Sequence, residues 1–449
     1  MAQSRLFVRL GSHSEKDYLL KTAKLFSGVI VGANLVESTP GATVSLALSL
    51  MGGMQLAFAI DPMTYTFGMD LSYITSETID RTAKVKGTRK ASLKKSFASL
   101  ARQFGGIIEN AVLNSGRPIL PSDLRDPRSL QNLCSVVLDY QLNRMRQICQ
   151  ADPQLQEIAG EFPNPSFVFS PYFYIPDAPQ QDSNDWEVAA VDIANAFGQL
   201  NSPVPKHAVI CISRKIASDT NRFTALSERI AASGCDGCWL WVSDLREEQI
   251  TGPELDGFKA VAAIFERKNK PLFNLHGGYL SALLSKHGLH GFSHGIGYGE
   301  SKDVVPVIGV TVPTVNYHLP PLHVRVPIVE LQRALSALGI TTATDFHKRI
   351  CNCTICKGIL KGDLNKLMEF GDFVLKVGNI KKSQTADSAK KCRFHFLLAR
   401  RKELDFVNGN TLEGVKKQLT DSATEYSALP PYLGLQDRTS HLKLWNAYL

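Results

Sequence analysis

The chain has 449 residues, 44% of them hydrophobic and 20% charged. A chain of that balance buries a sizeable core, which excludes a disordered or fibrous protein, and its length allows two to four domains of ~100–200 residues or one large barrel with an appendage. Lys and Arg number 50 against 42 Asp and Glu, a formal charge of +8, which permits a polyanionic partner without demanding one.

The start, MAQSRLFVRLGSHSEKDY, lacks the continuous apolar run and cleavage pattern of a secretory signal. Residues 44–60, VSLALSLMGGMQLAFAI, are the most apolar stretch. They carry Ser, Gln and a Gly pair and fall short of the ~20 residues of a spanning helix. They read as a helix or strand, a turn, then a buried strand. Strands are predicted over 54–60, 166–169, 208–212, 238–242, 272–275, 291–293 and 304–310. Helices are predicted over 92–104, where Leu93, Phe97, Leu100 and Phe104 share a face, and over 224–232, 257–267, 279–287 and 328–338. This alternation predicts parallel βαβ units. An α/β fold of the (β/α)₈ TIM-barrel type with insertions is preferred to a doubly wound sheet, because polar and Gly-bearing turns at strand ends gather on one face of a barrel. Residues 176–185 are polar without period and read as a loop. After about residue 341 the composition changes: cysteines cluster, 377–391 reads as an exposed basic loop, and 397–406 resumes a helical pattern. The predicted division is a barrel over 1–340 and a zinc-binding, helical subdomain over 341–449.

Nine cysteines, an odd and mostly scattered count in a large chain without a signal, predict reduced thiols and a cytoplasmic protein. Cys351, Cys353 and Cys356 stand in C-x-C-x-x-C spacing. A tight turn of that spacing can supply three thiolates to a tetrahedral Zn²⁺ ion. The fourth ligand is expected from His395, with Cys392 as competitor, and four protein ligands make the ion structural. Cys235 and Cys238 form a C-x-x-C beside an apolar strand and read as packing thiols, as do Cys134, Cys149 and Cys211.

A barrel chain ending in this cysteine spacing and a helical His resembles the queuine/archaeosine tRNA-guanine transglycosylases. MQLAFAIDPMTYTF, residues 54–67, is similar to the strand that delivers that family's first catalytic aspartate, here Asp61. LHGGYLSALLSKHGLHGFSHG, residues 275–295, is similar to its late strand–turn–helix–strand unit. Three departures point to the DNA-directed branch, the DpdA-type DNA-guanine transglycosylases, one of them a longer gap from Cys356 to the His than is usual. The Asp-Ser-Gly-Gly-Phe-Gln run is replaced by Asp61-Pro62-Met63-Thr64-Tyr65, and the late-strand nucleophilic aspartate is replaced in Gly291-Phe292-Ser293-His294-Gly295. The resemblance implies exchange of guanine in DNA, or alternatively in tRNA, for a 7-deazaguanine such as preQ0, through a covalent sugar–aspartate intermediate. A helper protein of the same modification system is a further implied partner; no membrane is expected.

Base exchange needs a carboxylate for C1′ and an acid–base partner, through an oxocarbenium-like transition state. Asp61 and Asp244 each follow an apolar strand, which puts both at the mouth of a parallel barrel. Which one attacks C1′ is open, and each could instead be a helix N-cap. His276-Gly277-Gly278 allows close backbone approach to a base or phosphate, or is a tight turn. Ser293, His294 and Glu300 lie in a Gly-dense run read as a mouth loop contacting base or sugar. Tyr65 and Tyr172 could stack on a base or serve packing. Arg81, Lys84, Lys86, Arg89, Lys90, Lys94 and Lys95 fall within fifteen residues without an acid. They are read as a phosphate-contacting patch, the alternative being a solvated face. Lys381, Lys382, Lys390, Lys391 and Arg393 form a second basic cluster beside the cysteines.

Overall fold

The computed structural model describes residues 3–79, 89–159, 162–297, 300–305, 316–370, 386–429 and 439–449. Its centre is a parallel barrel of eight strands: β1 (Arg5–Leu10), β2 (Gly28–Gly32), β3 (Ala57–Asp61), β4 (Val168–Phe169), β5 (Lys206–Ile212), β6 (Gly237–Val242), β7 (Leu272–Asn274) and β8 (Leu289–Gly295). They run β3-β2-β1-β8-β7-β6-β5-β4, every pair parallel. The ring is nearly closed between β3 and β4. There the Ser166 N–H donates to the Phe58 carbonyl at 2.7 Å, and the Ser166 hydroxyl accepts from the Phe58 N–H at 3.1 Å, standing in for a ladder bond.

Strands such as GVIVG and GCWLWV are apolar throughout because both faces are buried. Alternation turns Leu6, Val8, Val29 and Val31 toward the surrounding helices, and Phe7, Ile30, Ala59, Val209, Trp239, Trp241 and Phe273 into the lumen. Trp239 stacks on Phe273 with centroids 4.6 Å apart, and Phe7 meets Trp239 edge-on at 5.4 Å. The lumen is a packed core, not a pore. On β8 the inward residues are small, and for a reason of space. A Cβ on Gly291 would lie 2.3 Å from the Arg5 carbonyl oxygen of β1.

The predicted barrel is present, with corrections. β1 and β2 were not expected. β1 reads RLFVRL, whose inward positions carry two arginines, so it lacks the uninterrupted apolar run that marks other buried strands such as β2 and β6. Helix Pro127–Ala151 was also not expected. Residues 176–185 are a loop only to Pro179, since helix Gln180–Gly198 begins there on polar residues with Asp182 favourably placed in its first turn. Val304 and Val305 are not strand, and the rest of 304–310 lies outside the described residues. Part of the expected basic loop, Ala386 to Lys391, opens helix Ala386–Gly409, and residues 377–385 are outside the described set. An antiparallel hairpin, β9 (Asn316–Leu319) and β10 (Val324–Pro327), precedes residue 341 yet packs against that same helix. No helix among the described residues is long and apolar enough to cross a membrane.

Candidate metal centre and barrel mouth

Cys351, Cys353, Cys356 and His395 are all buried, and their ligand atoms lie within 4.8 Å of one another. Helix Thr354–Leu360 starts inside the motif, so its N-terminus folds the three sulfurs inward. The N–H groups of Cys353 and Cys356 point at the sulfurs of Cys351 and Cys353, at 3.5 and 3.4 Å. Helix Ala386–Gly409 brings in His395, whose Nδ1 is 3.4 Å from the sulfurs of Cys353 and Cys356 and 3.8 Å from that of Cys351. Its Nε2 donates to the His318 carbonyl on β9 at 2.7 Å, which fixes the tautomer and leaves Nδ1 as the ligand atom. Three sulfurs and one imidazole nitrogen gathered so closely fit a metal ion, and this donor set suits zinc. Cys392 is not brought to the site. Its thiol points to the Phe370 carbonyl at 3.0 Å, and burial pushes its pKa up to about 12.

At the other candidate site, Asp61 ends β3 at the C-terminal mouth, fully buried. Its Oδ2 accepts from Arg9 Nη2 at 2.5 Å; its Oδ1 accepts from the Tyr172 hydroxyl and the Met63 N–H, both at 2.9 Å. Burial would lower the Arg9 pKa, but the charge of Asp61 reverses the sign and raises it. Burial and the same charge push the Tyr172 phenol well above 10, so it stays a neutral donor. Tyr65 stacks on Tyr172 at 5.5 Å and meets Trp241 edge-on at 4.8 Å; His276 lies 4.7 Å from Trp241. Lys302 closes this cluster. Its ammonium donates to the Tyr65 hydroxyl at 3.0 Å, and its carbonyl accepts from the Trp241 indole N–H at 2.9 Å. Val304 beside it is part of the lumen cluster.

No hydrogen bond links Asp244 to Asp61 among the described residues. Asp244 sits exposed in a left-handed turn, φ +53°, with its N–H donating to the Lys302 carbonyl at 3.1 Å. Gly277 and Gly278 are explained by packing. A Cβ on Gly278 would lie 2.8 Å from Glu247 Oε2, and one on Gly277 would lie 2.2 Å from Ser281 Oγ. Glu247 is fully buried and accepts from the N–H groups of Gly278, Leu280 and Ser281 at 2.6, 2.8 and 3.1 Å, capping helix Tyr279–Leu283. The Ser293 hydroxyl is spent on the Leu275 carbonyl at 2.5 Å. His294, the next residue of β8, points outward, with its ring 5.0 Å from Phe396 of helix Ala386–Gly409. Burial first, then the Arg400 charge, push its pKa down to about 3, so it is neutral.

Glu300 belongs to a buried network outside the lumen. It accepts from Arg325 Nε at 2.8 Å and from Arg400 Nη2. Arg400 also pairs with Glu403 at 2.8 Å, and Glu403 Oε1 contacts His318 Nε2 and His323 Nδ1 at 2.9 and 2.7 Å. Burial would raise the Glu300 pKa, but the two guanidinium groups hold it down to about 2. Sequence reasoning missed Arg9, Lys302, Glu247, Arg325, Arg400 and Glu403. Only Arg9 carried a local signal, two residues after Phe7 on the same strand face.

Of the basic patch, Lys94 and Lys95 are exposed at the start of helix Lys95–Phe104. Arg89 and Lys90 lie on strand Arg89–Leu93, paired with Thr75–Ile79. Arg81, Lys84 and Lys86 lie outside the described residues, as do Lys381 and Lys382. In the second cluster, Lys391 pairs with Glu369 at 3.1 Å, and Arg393 lies over the Tyr18 ring at 5.4 Å. No protein-family model matches the chain, and neither a curated protein nor a solved structure matches it.

Proposed function

We propose that the chain is a base-exchange transglycosylase that removes guanine from DNA and inserts a 7-deazaguanine, with Asp61 essential at the reacting sugar. The observation that carries this reading is a buried carboxylate at the C-terminal end of a barrel strand, beside a cation and two stacked tyrosines. Catalytic groups of TIM barrels gather on this face. The target base leaves the duplex to enter the mouth. In the exchange, a carboxylate oxygen bonds C1′ as the C1′–N9 bond breaks, and the departing guanine takes up a proton. The N9 of the incoming base then displaces the ester, its proton replaces the one taken, and the carboxylate is regenerated. Arg9 pairs with Asp61, and Tyr172 holds its orientation. Asp244, exposed at the rim, is the acid–base candidate. An ion held by Cys351, Cys353, Cys356 and His395 would have all four positions filled by protein, and would supply a fixed fold.

The test is incorporation of labelled guanine into DNA and into tRNA, with covalent adducts sought on denaturing gels. Wild-type protein is expected to label DNA and to form an adduct. Asp61→Asn is expected to lose exchange by several orders of magnitude. Label entering tRNA alone moves the substrate to tRNA with the same chemistry; wild-type exchange by Asp61→Asn overturns the mechanism. A second reading, a nucleic-acid-binding barrel without catalysis, is favoured by the late strand end where the resembling family carries its nucleophile: His294 stands there and faces Phe396, and the Ser293 hydroxyl beside it is spent on a backbone carbonyl. It requires salt-dependent binding of nucleic acid with no exchange and no adduct.

A further inference from the structure

Beside the mouth, between the turn after β6, residues 300–301, the β9–β10 hairpin and helix Ala386–Gly409, lies a second cavity of about 250 Å³. That is just under the ~300 Å³ at the small end of ligand pockets, room for one ring system and not for a nucleotide. Arg246, Glu248, Glu300, Arg325, Arg400 and Trp445 line it.

Its charges are already balanced. Arg325 and Arg400 are spent on Glu300, and Arg400 also on Glu403. Glu247 lines the cavity as well, its carboxylate given to backbone N–H groups. A phosphate entering here would meet as many carboxylates as guanidinium groups. What remains around the cavity is a set of buried polar atoms without partners among the described residues. Arg400, 1% exposed, has an Nε without a hydrogen-bond partner among the described residues, and Arg325 has an Nη2 in the same condition. Both are donors for a carbonyl or ring nitrogen. Glu248 is half-buried in the cavity wall with no ion pair among the described residues. Burial, and after it the Glu300 charge, raise its pKa, which marks a carboxyl in want of donors. Asn316 adds a side-chain oxygen without a partner among the described residues. The Trp445 ring, itself 1% exposed, is an aromatic wall.

We propose that this cavity binds a small, uncharged, planar ring that presents N–H donors to Glu248 and a carbonyl to Arg325 and Arg400, the edge that guanine offers. The class of ligand follows from the cavity's own groups; that the ligand is the base of the exchange reaction rests on the transglycosylase reading above.

Calorimetric titration of the zinc-loaded full chain tests this with guanine, hypoxanthine (the same ring and carbonyl without the amino donor) and inorganic phosphate. Guanine is expected to bind, hypoxanthine more weakly, and phosphate not at all. Glu248→Gln should weaken guanine about tenfold or more and hypoxanthine less. Val324→Phe, which fills the cavity without removing a polar group, should abolish binding, and it decides the matter if Glu248→Gln does not fold. Asp61→Asn should keep it. The proposal falls if wild-type protein binds no guanine, if it prefers phosphate, or if both cavity variants bind guanine as wild type does. It falls too if Asp61→Asn loses guanine while Glu248→Gln keeps it, which puts the base at the mouth. Guanine binding that depends on Glu248, without any base exchange, sinks the transglycosylase reading and leaves the cavity assignment standing.

Discussion

Asp61 spends both carboxylate oxygens on the protein itself, and this shapes how it can be tested. Among the described residues Arg9 is the one cation paired with it, through Nη2, and Arg9 Nη1 has no hydrogen-bond partner there. Removing one member of a buried pair leaves the other charged and uncompensated, at a cost of ~3–5 kcal/mol. Arg9→Met should therefore lower unfolding free energy by about that much in urea titrations, and the double variant with Asp61→Asn should recover part of it. Equal stability of the single and double variants would show that the pair is not coupled. For the same reason, exchange by Asp61→Asn has to be read beside its melting temperature and zinc content. The buried histidines set a pH dependence. Burial lowers His207 to about 4 and His294 to about 3. Both are neutral in the fold, while the unfolded chain binds their protons below ~6.5. The unfolded state then holds more protons, so stability falls as pH drops from ~6.5 toward 4, by up to ~1.4 kcal/mol per pH unit for each group. Glu300, held down to about 2, adds loss below the ordinary carboxylate range. Denaturation midpoints at pH 7, 5.5 and 4.5 should fall in that order; a flat profile would contradict the buried neutral imidazoles.

Elements differed in how much of themselves they declared. Helix Lys95–Phe104 was legible because Phe97, Leu100 and Phe104, all buried, recur at helical spacing. Strands β5 and β6 were legible as uninterrupted apolar runs. β1 was not, because its arginines find a carboxylate and an aromatic face only after the barrel closes: Arg9 on Asp61, and Arg5 over Phe273 at 5.1 Å. β8 shows the opposite case, a strand whose small residues make sense only beside β1. Gly291→Val should prevent soluble expression, since even a Cβ collides with the Arg5 carbonyl; a stable, folded variant would mean that the two strands lie farther apart. On the surface, Lys94 and Lys95 are exposed in a segment without acids. If they contact phosphates, replacing both by Ala should flatten the salt dependence of duplex DNA binding by ~0.9 per lost contact. An unchanged slope returns them to an ordinary solvated face.

At the scale of the whole molecule, the cysteine centre and the barrel mouth share one helix. His395 anchors helix Ala386–Gly409 at the candidate metal centre, and further along the same helix Arg400 reaches Glu300, just after β8. One zinc ion per chain should copurify, and Cys353→Ser should lower both metal content and solubility, because binding free energy at such a site is folding free energy. Chelation should loosen the C-terminal lobe and expose Trp445, which indole fluorescence would follow. Soluble, fully folded protein free of metal would refute this.

The sequence alone determined what depends on neighbours in the chain. Cys351, Cys353 and Cys356 sit within one turn, so their convergence was readable from spacing, and the alternation of apolar runs with amphipathic stretches was enough for a parallel barrel. The tertiary structure decided what depends on residues far apart. It chose His395 over Cys392, because helix phase and the His318 carbonyl aim one ring and not the neighbouring thiol. It turned His294 out of the lumen, because side chains of a strand alternate and Ser293 took the inward place. It paired Arg9 with Asp61 across 52 positions of chain, and gathered Glu248, Glu300, Arg325 and Arg400 around one cavity. Short-range spacing is carried by local backbone geometry, whereas a buried charge finds its partner only when closure of the sheet brings distant strands into register.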